Sequence, residues 1–209
     1  SVKKKDKGFK DPSYKVKLGE EYLINLTPLS VEKFQAEDIS LDIVYEDKDL
    51  LIINKPSGMV THPAPGNKQG TLVNALIYYL KKNLSNINEG RPGIIHRLDK
   101  ETSGLLVIAK NNQTHVNLSK QFKDHSISRK YYAIVWGVPS NQKIEGYISR
   151  DNINRKKMRM NNSGKGKFSS TEIKLVASYQ IASLVKCKLK TGRTHQVRLH
   201  MNYINSPVV

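Results

Sequence analysis

The stretch from Gly93 to Lys110 constrains the fold of this chain more than any other. Two short apolar runs, Ile94-Ile95 and Leu105-Leu106-Val107-Ile108-Ala109, bracket the polar loop His96-Arg97-Leu98-Asp99-Lys100-Glu101-Thr102-Ser103, which Gly104 closes. Runs this short and apolar read as buried strands. The surrounding sheet must then fix both ends of the loop. A loop held in this way keeps a reactive side chain still while leaving it open to a substrate. Asp99 is the candidate, because a carboxylate serves as nucleophile or general base without a cofactor. By spacing alone a plain turn explains Asp99 equally well, since Asp, Thr and Ser bond their own backbone and close loops.

The flanking segments alternate between strand and helix patterns. Residues 41–45 and 50–54 read as strands around the acidic turn Glu46-Asp47-Lys48-Asp49. In 71–84, Leu72, Val73, Leu76, Ile77, Leu80 and Leu84 recur at three- and four-residue spacing behind the N-cap candidate Thr71, which predicts a helix. A second helix is predicted over 113–123, with His115, Leu118 and Phe122 inward. Residues 127–138 alternate as a strand, with Tyr131, Ala133 and Val135 on one face and Tyr132, Ile134 and Trp136 on the other. Further strands are predicted near 145–148, over 170–176 and over 182–189, and a helix after Gly192 turns Val197, Met201 and Ile204 to the core. Residues 151–167, with Arg155, Lys156, Lys157, Arg159, Lys165 and Lys167, read as a basic loop.

Lys and Arg number 35 against 18 Asp and Glu, a formal charge of +17. So large an excess suits a polyanionic partner, nucleic acid first. No apolar run is long enough to span a bilayer, and the Lys-rich start has no apolar segment behind it to make a secretory signal. The single cysteine, Cys187, excludes an internal disulfide framework and a cysteine-based zinc site, and reads as a small core residue. His195 and His200 lack a third ligand, so no metal site is expected. These features predict a cytoplasmic protein with no membrane partner.

His96-Arg97-Leu98-Asp99-Lys100-x-Thr102-Ser103-Gly104 resembles the signature of the RluA/RluD-type RNA pseudouridine synthases. Three further segments resemble the same family: the Asn54-Lys55-Pro56-x-Gly58 to His62-Pro63 run, Arg129-Lys130-Tyr131-x-Ala133-x-Val135-x-Gly137, and Leu189 to Met201. The resemblance implies isomerisation of uridine to pseudouridine in RNA, with no cofactor. It makes Asp99 the catalytic residue, pairs Arg198 with it, stacks Tyr131 on the target base, and lets Arg97 fill the place that base vacates. The expected RNA contacts are His96, Arg97, Lys130, Arg193 and His195, with Arg155 and Lys157 of the basic stretch. Large-subunit ribosomal RNA is the expected substrate, with transfer RNA as the alternative, for a monomer.

The fold implied is α+β: a mixed, mostly antiparallel central sheet with flanking helices and a basic active-site cleft. Lys10 to Glu20 also resembles the last hairpin of an S4 RNA-binding domain, predicting strands 14–17 and 22–26. The expected division is a partial S4-like segment over 1–30, a linker over 31–40, and a catalytic domain over 41–209 that lacks its C-terminal end. A non-catalytic RNA-binding or ribosome-assembly factor with the same fold explains the charge as well, but not the joint match of Asp99, Tyr131 and Arg198.

Overall fold

The computed structural model describes residues 2–4, 7–8, 11, 13–24, 34–64, 66–88, 90–151, 153–154 and 157–209. The chain divides into two compact units, Ser1–Phe34 and Gln35–Val209.

In the first unit, β1 (Val2–Lys4) pairs antiparallel with both β2 (Lys7–Gly8) and β3 (Tyr22–Ile24). The strand expected over 14–17 does not form. Val16 and Leu18 are exposed, so that segment has no apolar face to bury. Its turn is held by the Glu20 carboxylate, which accepts hydrogen bonds from the phenols of Tyr14 at 2.6 Å and Tyr22 at 2.8 Å.

The second unit contains two antiparallel sheets among its described strands, in place of one mixed central sheet. In the smaller, β5 (Leu50–Lys55) lies between β4 (Ile43–Glu46) and β6 (Gly104–Ala109). Asp47 fixes the turn between β4 and β5, its Oδ1 accepting the N–H groups of Asp49 and Leu50, both at 2.8 Å. Leu51, Ile53, Leu106 and Ile108 are fully or almost fully buried. Ile94, expected in a strand, makes only an isolated bridge to Ile108.

The larger sheet runs in the order β7 (Arg129–Trp136), β11 (Ala182–Leu189), β10 (Lys167–Ser178), β8 (Gln142–Arg150) and β9 (Met158–Asn161). Strand β9 forms where a basic loop was expected. Its Met158 and Met160 alternate inward beside exposed Arg159, and Met160 packs against the core. That core is Val135, Ile144, Ile173, Val185, Cys187, Leu189 and Met201. Burial pushes the Cys187 thiol up to about 11, in keeping with an inert core residue.

Three helices complete the unit among its described residues: α1 (Leu72–Leu80), α2 (Asn112–Lys123) and α3 (Gln196–Tyr203). Thr71 caps α1 and Asn111 caps α2, each side chain accepting a backbone N–H three residues on. Burying Leu72, Val73, Ala75, Leu76 and Leu80 on one flank of α1 accounts for its apolar period. Gln35 and Glu37, in the segment read as a linker, fasten to α1 through Asn74, at 2.8 Å and 3.1 Å. No described helix is long and apolar enough to cross a membrane.

Candidate active site

Asp99 sits on a loop pinned from two sides. From below, the end of β5 and the segment after it supply a row of donors. Lys55 Nζ and Gly58 N–H donate to the Lys100 carbonyl, at 3.1 and 2.9 Å. Thr61 Oγ1 donates to the Leu98 carbonyl at 2.8 Å, and Ser57 Oγ to that of Glu101 at 2.9 Å. Leu98 is buried beside them. From the other side, His96 is built into the fold. Its Nε2 accepts the Val107 N–H at 3.0 Å, and its ring stacks on Phe122 with centroids 4.5 Å apart. Burial, and secondarily the Arg129 charge, lowers its pKa to about 4, so the imidazole is neutral at pH 7. The side chain expected to touch RNA is thus also tied to β6 and α2.

The second wall comes from the turn into α3. Gln196 is buried and ties four groups together. Its Oε1 accepts from Thr191 Oγ1 at 2.8 Å and from Arg193 N–H at 3.0 Å, while its Nε2 donates to the Ser170 carbonyl at 3.0 Å and Thr171 Oγ1 at 2.9 Å. This network anchors the first turn of α3 to β10. His195 precedes the helix in the left-handed region, φ 57° and ψ 23°, which a residue with a side chain rarely adopts. The turn carries His195 Nε2 to 3.8 Å from Asp99 Oδ1. One turn into the helix, Arg198 Nη2 donates to Asp99 Oδ2, closing an ion pair across 99 residues of chain. Asp99 keeps 22% of its side-chain surface exposed, so a substrate can reach it.

Tyr131 lies on the inward face of β7 with Ala133 and Val135, half-buried. Burial raises its phenol pKa; Arg129 opposes that rise and the Asp99 charge adds to it. Tyr131 therefore feels both the Asp99 loop and its own strand neighbour, and the phenol is protonated at neutral pH.

The remaining expected contacts divide. Arg97 is exposed beside Asp99. Arg193 is half-buried, its Nε donating to the Phe168 carbonyl at 2.9 Å. Lys157 is exposed in the turn before β9, and its carbonyl accepts the Asp151 N–H at 2.9 Å. Arg155 lies outside the described residues. Lys130 is exposed, and the strand alternation puts it on the face of β7 opposite Tyr131, away from the ion pair. Its neighbour Arg129 takes the inward position instead. Arg129 Nη2 donates to the Lys190 carbonyl at 3.2 Å and lies 3.4 Å from His125 Nδ1. Sequence reasoning passed over Arg129 and Lys55, although both belong to motifs it had singled out. The strand period already marked Arg129 as sharing the Tyr131 face.

Residues 49–203 match the family described as RNA pseudouridylate synthase. A ribosomal large subunit pseudouridine synthase D of Zymomonas mobilis is 47% identical over 197 residues, covering 93% of this chain and 62% of that protein. The uncharacterized RNA pseudouridine synthase YlyB of Bacillus subtilis is 43% identical over 199 residues, 94% of this chain and 65% of its own. Among solved structures, human RNA pseudouridylate synthase domain containing 1 superposes with a TM-score of 0.65 at 27% identity, covering 88% of this chain and 70% of that one. The chain thus spans a little under two thirds of the length of these two curated relatives.

Proposed function

This chain belongs to the RNA pseudouridylate synthase family, and on that premise we propose that it isomerises uridine to pseudouridine within large-subunit ribosomal RNA. The observation that carries the proposal is the ion pair between Asp99 and Arg198, formed on a hydrogen-bonded loop and partly exposed to solvent. The similarity to ribosomal large subunit pseudouridine synthase D supports the choice of RNA.

In this reading the bond between uracil N1 and ribose C1′ breaks, the base turns, and C5 bonds to C1′. The C5 proton leaves and N1 gains one, so the reaction is balanced without oxidant, reductant or group donor. Asp99 acts as the nucleophile or base, and Arg198 holds its carboxylate in one orientation through a guanidinium that cannot lose its charge. Tyr131 presents its ring to the uracil. Flipping the base out of its stack costs a few kcal/mol, and Arg97 takes the vacated place. Arg193 and Lys157 hold phosphates of the RNA, supplying affinity more than sequence choice. The five lysines among the first ten residues add charge from the S4-like segment.

Pseudouridine mapping in ribosomal and transfer RNA from cells lacking the protein tests this. The expected result is loss of one or more pseudouridines from large-subunit RNA alone. Loss confined to transfer RNA would overturn the choice of substrate, and an unchanged map would overturn the proposed activity.

A further inference from the structure

The turn that leads into α3 also walls a cavity of about 410 Å³, and of its lining the chemistry above uses Arg193 alone. Ligand pockets run from roughly 300 to 1,000 Å³, so this one is large enough for a single nucleotide. Thr194, in its wall, directly precedes His195, whose Nε2 is 3.8 Å from Asp99 Oδ1. The same turn therefore borders the cavity through Thr194 and Asp99 through His195.

Its lining is cationic on one side and apolar on the other. Arg150, Lys167 and Arg193 supply the charge, and no carboxylate is among its described lining residues. Arg193 is held at the wall by its bond to the Phe168 carbonyl. Ile148, 3% exposed, and half-buried Met158 supply an apolar floor. Two glycines shape the walls. At Gly166, φ +115°, a Cβ would stand 2.5 Å from the Ile148 carbonyl oxygen, so β10 begins flush against β8. At Gly192 a Cβ would run into the Arg129 guanidinium, which backs the wall. Arg129 Nε is buried without a hydrogen-bond partner among the described residues, adding positive potential behind Gly192.

We propose that this cavity seats the nucleotide next to the target uridine. Its phosphodiester lies against Lys167 and Arg193, and its ribose and base against Ile148 and Met158. The proposal rests on the RNA-modification reading and adds a second nucleotide position to it.

Binding of uridine monophosphate, diuridylate and triuridylate to the full chain, followed by calorimetry, tests this without turnover. The wild-type chain should gain about tenfold in affinity from monophosphate to diuridylate, the scale of one charge-assisted hydrogen bond. Lys167→Glu should abolish that step and Lys167→Arg should keep it. Lys174→Glu, the same charge change on β10 outside the cavity, should keep it as well. The proposal is overturned if the wild type shows no step, if Lys167→Glu retains it, or if Lys174→Glu loses it equally. A chain with the step that makes no pseudouridine would refute the enzyme reading alone. A chain that makes pseudouridine without the step would refute the cavity alone.

Discussion

Lys55 Nζ donates to the carbonyl of Lys100, the residue after Asp99, from a position with no exposed surface. The same ammonium reaches the carbonyls of Pro56 at 2.6 Å and Met59 at 2.9 Å, so all three of its protons are used. Strand period puts Lys55 on the buried face with Leu51 and Ile53, and this set of acceptors makes a buried cation tolerable there. Burial lowers its pKa, while Glu101 and Asp99 counter the shift. The lysine thereby locks the Asp99 loop to β5.

Lys55→Met keeps the stem and removes the three donors. It should destabilise the second unit by about 2–3 kcal/mol, because buried carbonyls lose their partner. Urea denaturation followed by fluorescence would register this as a lower midpoint. An unfolding free energy within about 0.5 kcal/mol of wild type would mean that the loop is held by other contacts.

Arg198→Lys retains the charge but loses the planar fork that fixes the Asp99 carboxylate. Displacing a reacting group by about 1 Å costs roughly 10²-fold in rate, so kcat should fall by about that factor. KM should move less, since Arg198 contributes orientation. An equal loss in KM with kcat intact would assign Arg198 to RNA binding.

Much of this site was legible in the residue order, for reasons that differ by element. The apolar spacing behind Thr71 marked α1 because a helix buries one flank at a fixed period, and 182–189 read correctly as β11. Asp99, Tyr131 and Arg198 were found through motif resemblance, since nothing local predicts that an arginine 99 residues away will reach Asp99. Strand β9 was hidden by Arg155, Lys156 and Lys157, whose charge masks the short Met158-x-Met160 alternation. Ile94-Ile95 mimicked a strand because a buried loop entry is as apolar as one. The roles of Lys55 and Arg129 depend on carbonyls far along the chain, which residue type does not disclose.

The buried histidines make stability depend on pH. Burial, as the first cause in each case, holds His62, His96 and His200 down to about 4 from the ordinary 6.5. Between those values the unfolded chain binds more protons than the folded one. Stability is therefore fully present above about pH 6.5 and falls as pH drops toward 4. The slope is roughly 1.4 kcal/mol per pH unit for each proton involved. His200 is completely buried, with its Nε2 2.9 Å from Ser169 Oγ and Nδ1 unpartnered among the described residues. Unfolding free energies measured in urea from pH 7 to 4.5 should fall less steeply in His200→Gln, by about one proton. An unchanged slope would show that His200 does not titrate on unfolding.

The most direct test is single-turnover release of tritium from C5 of uridine in a large-subunit ribosomal RNA transcript, comparing wild type with Asp99→Asn. The predicted result is release by the wild-type chain and none above background by the variant, with RNA affinity within about threefold, because the substitution is nearly isosteric and acts only on the chemical step. Tritium release by Asp99→Asn at the wild-type rate would contradict the assignment of Asp99 as the residue that performs the reaction.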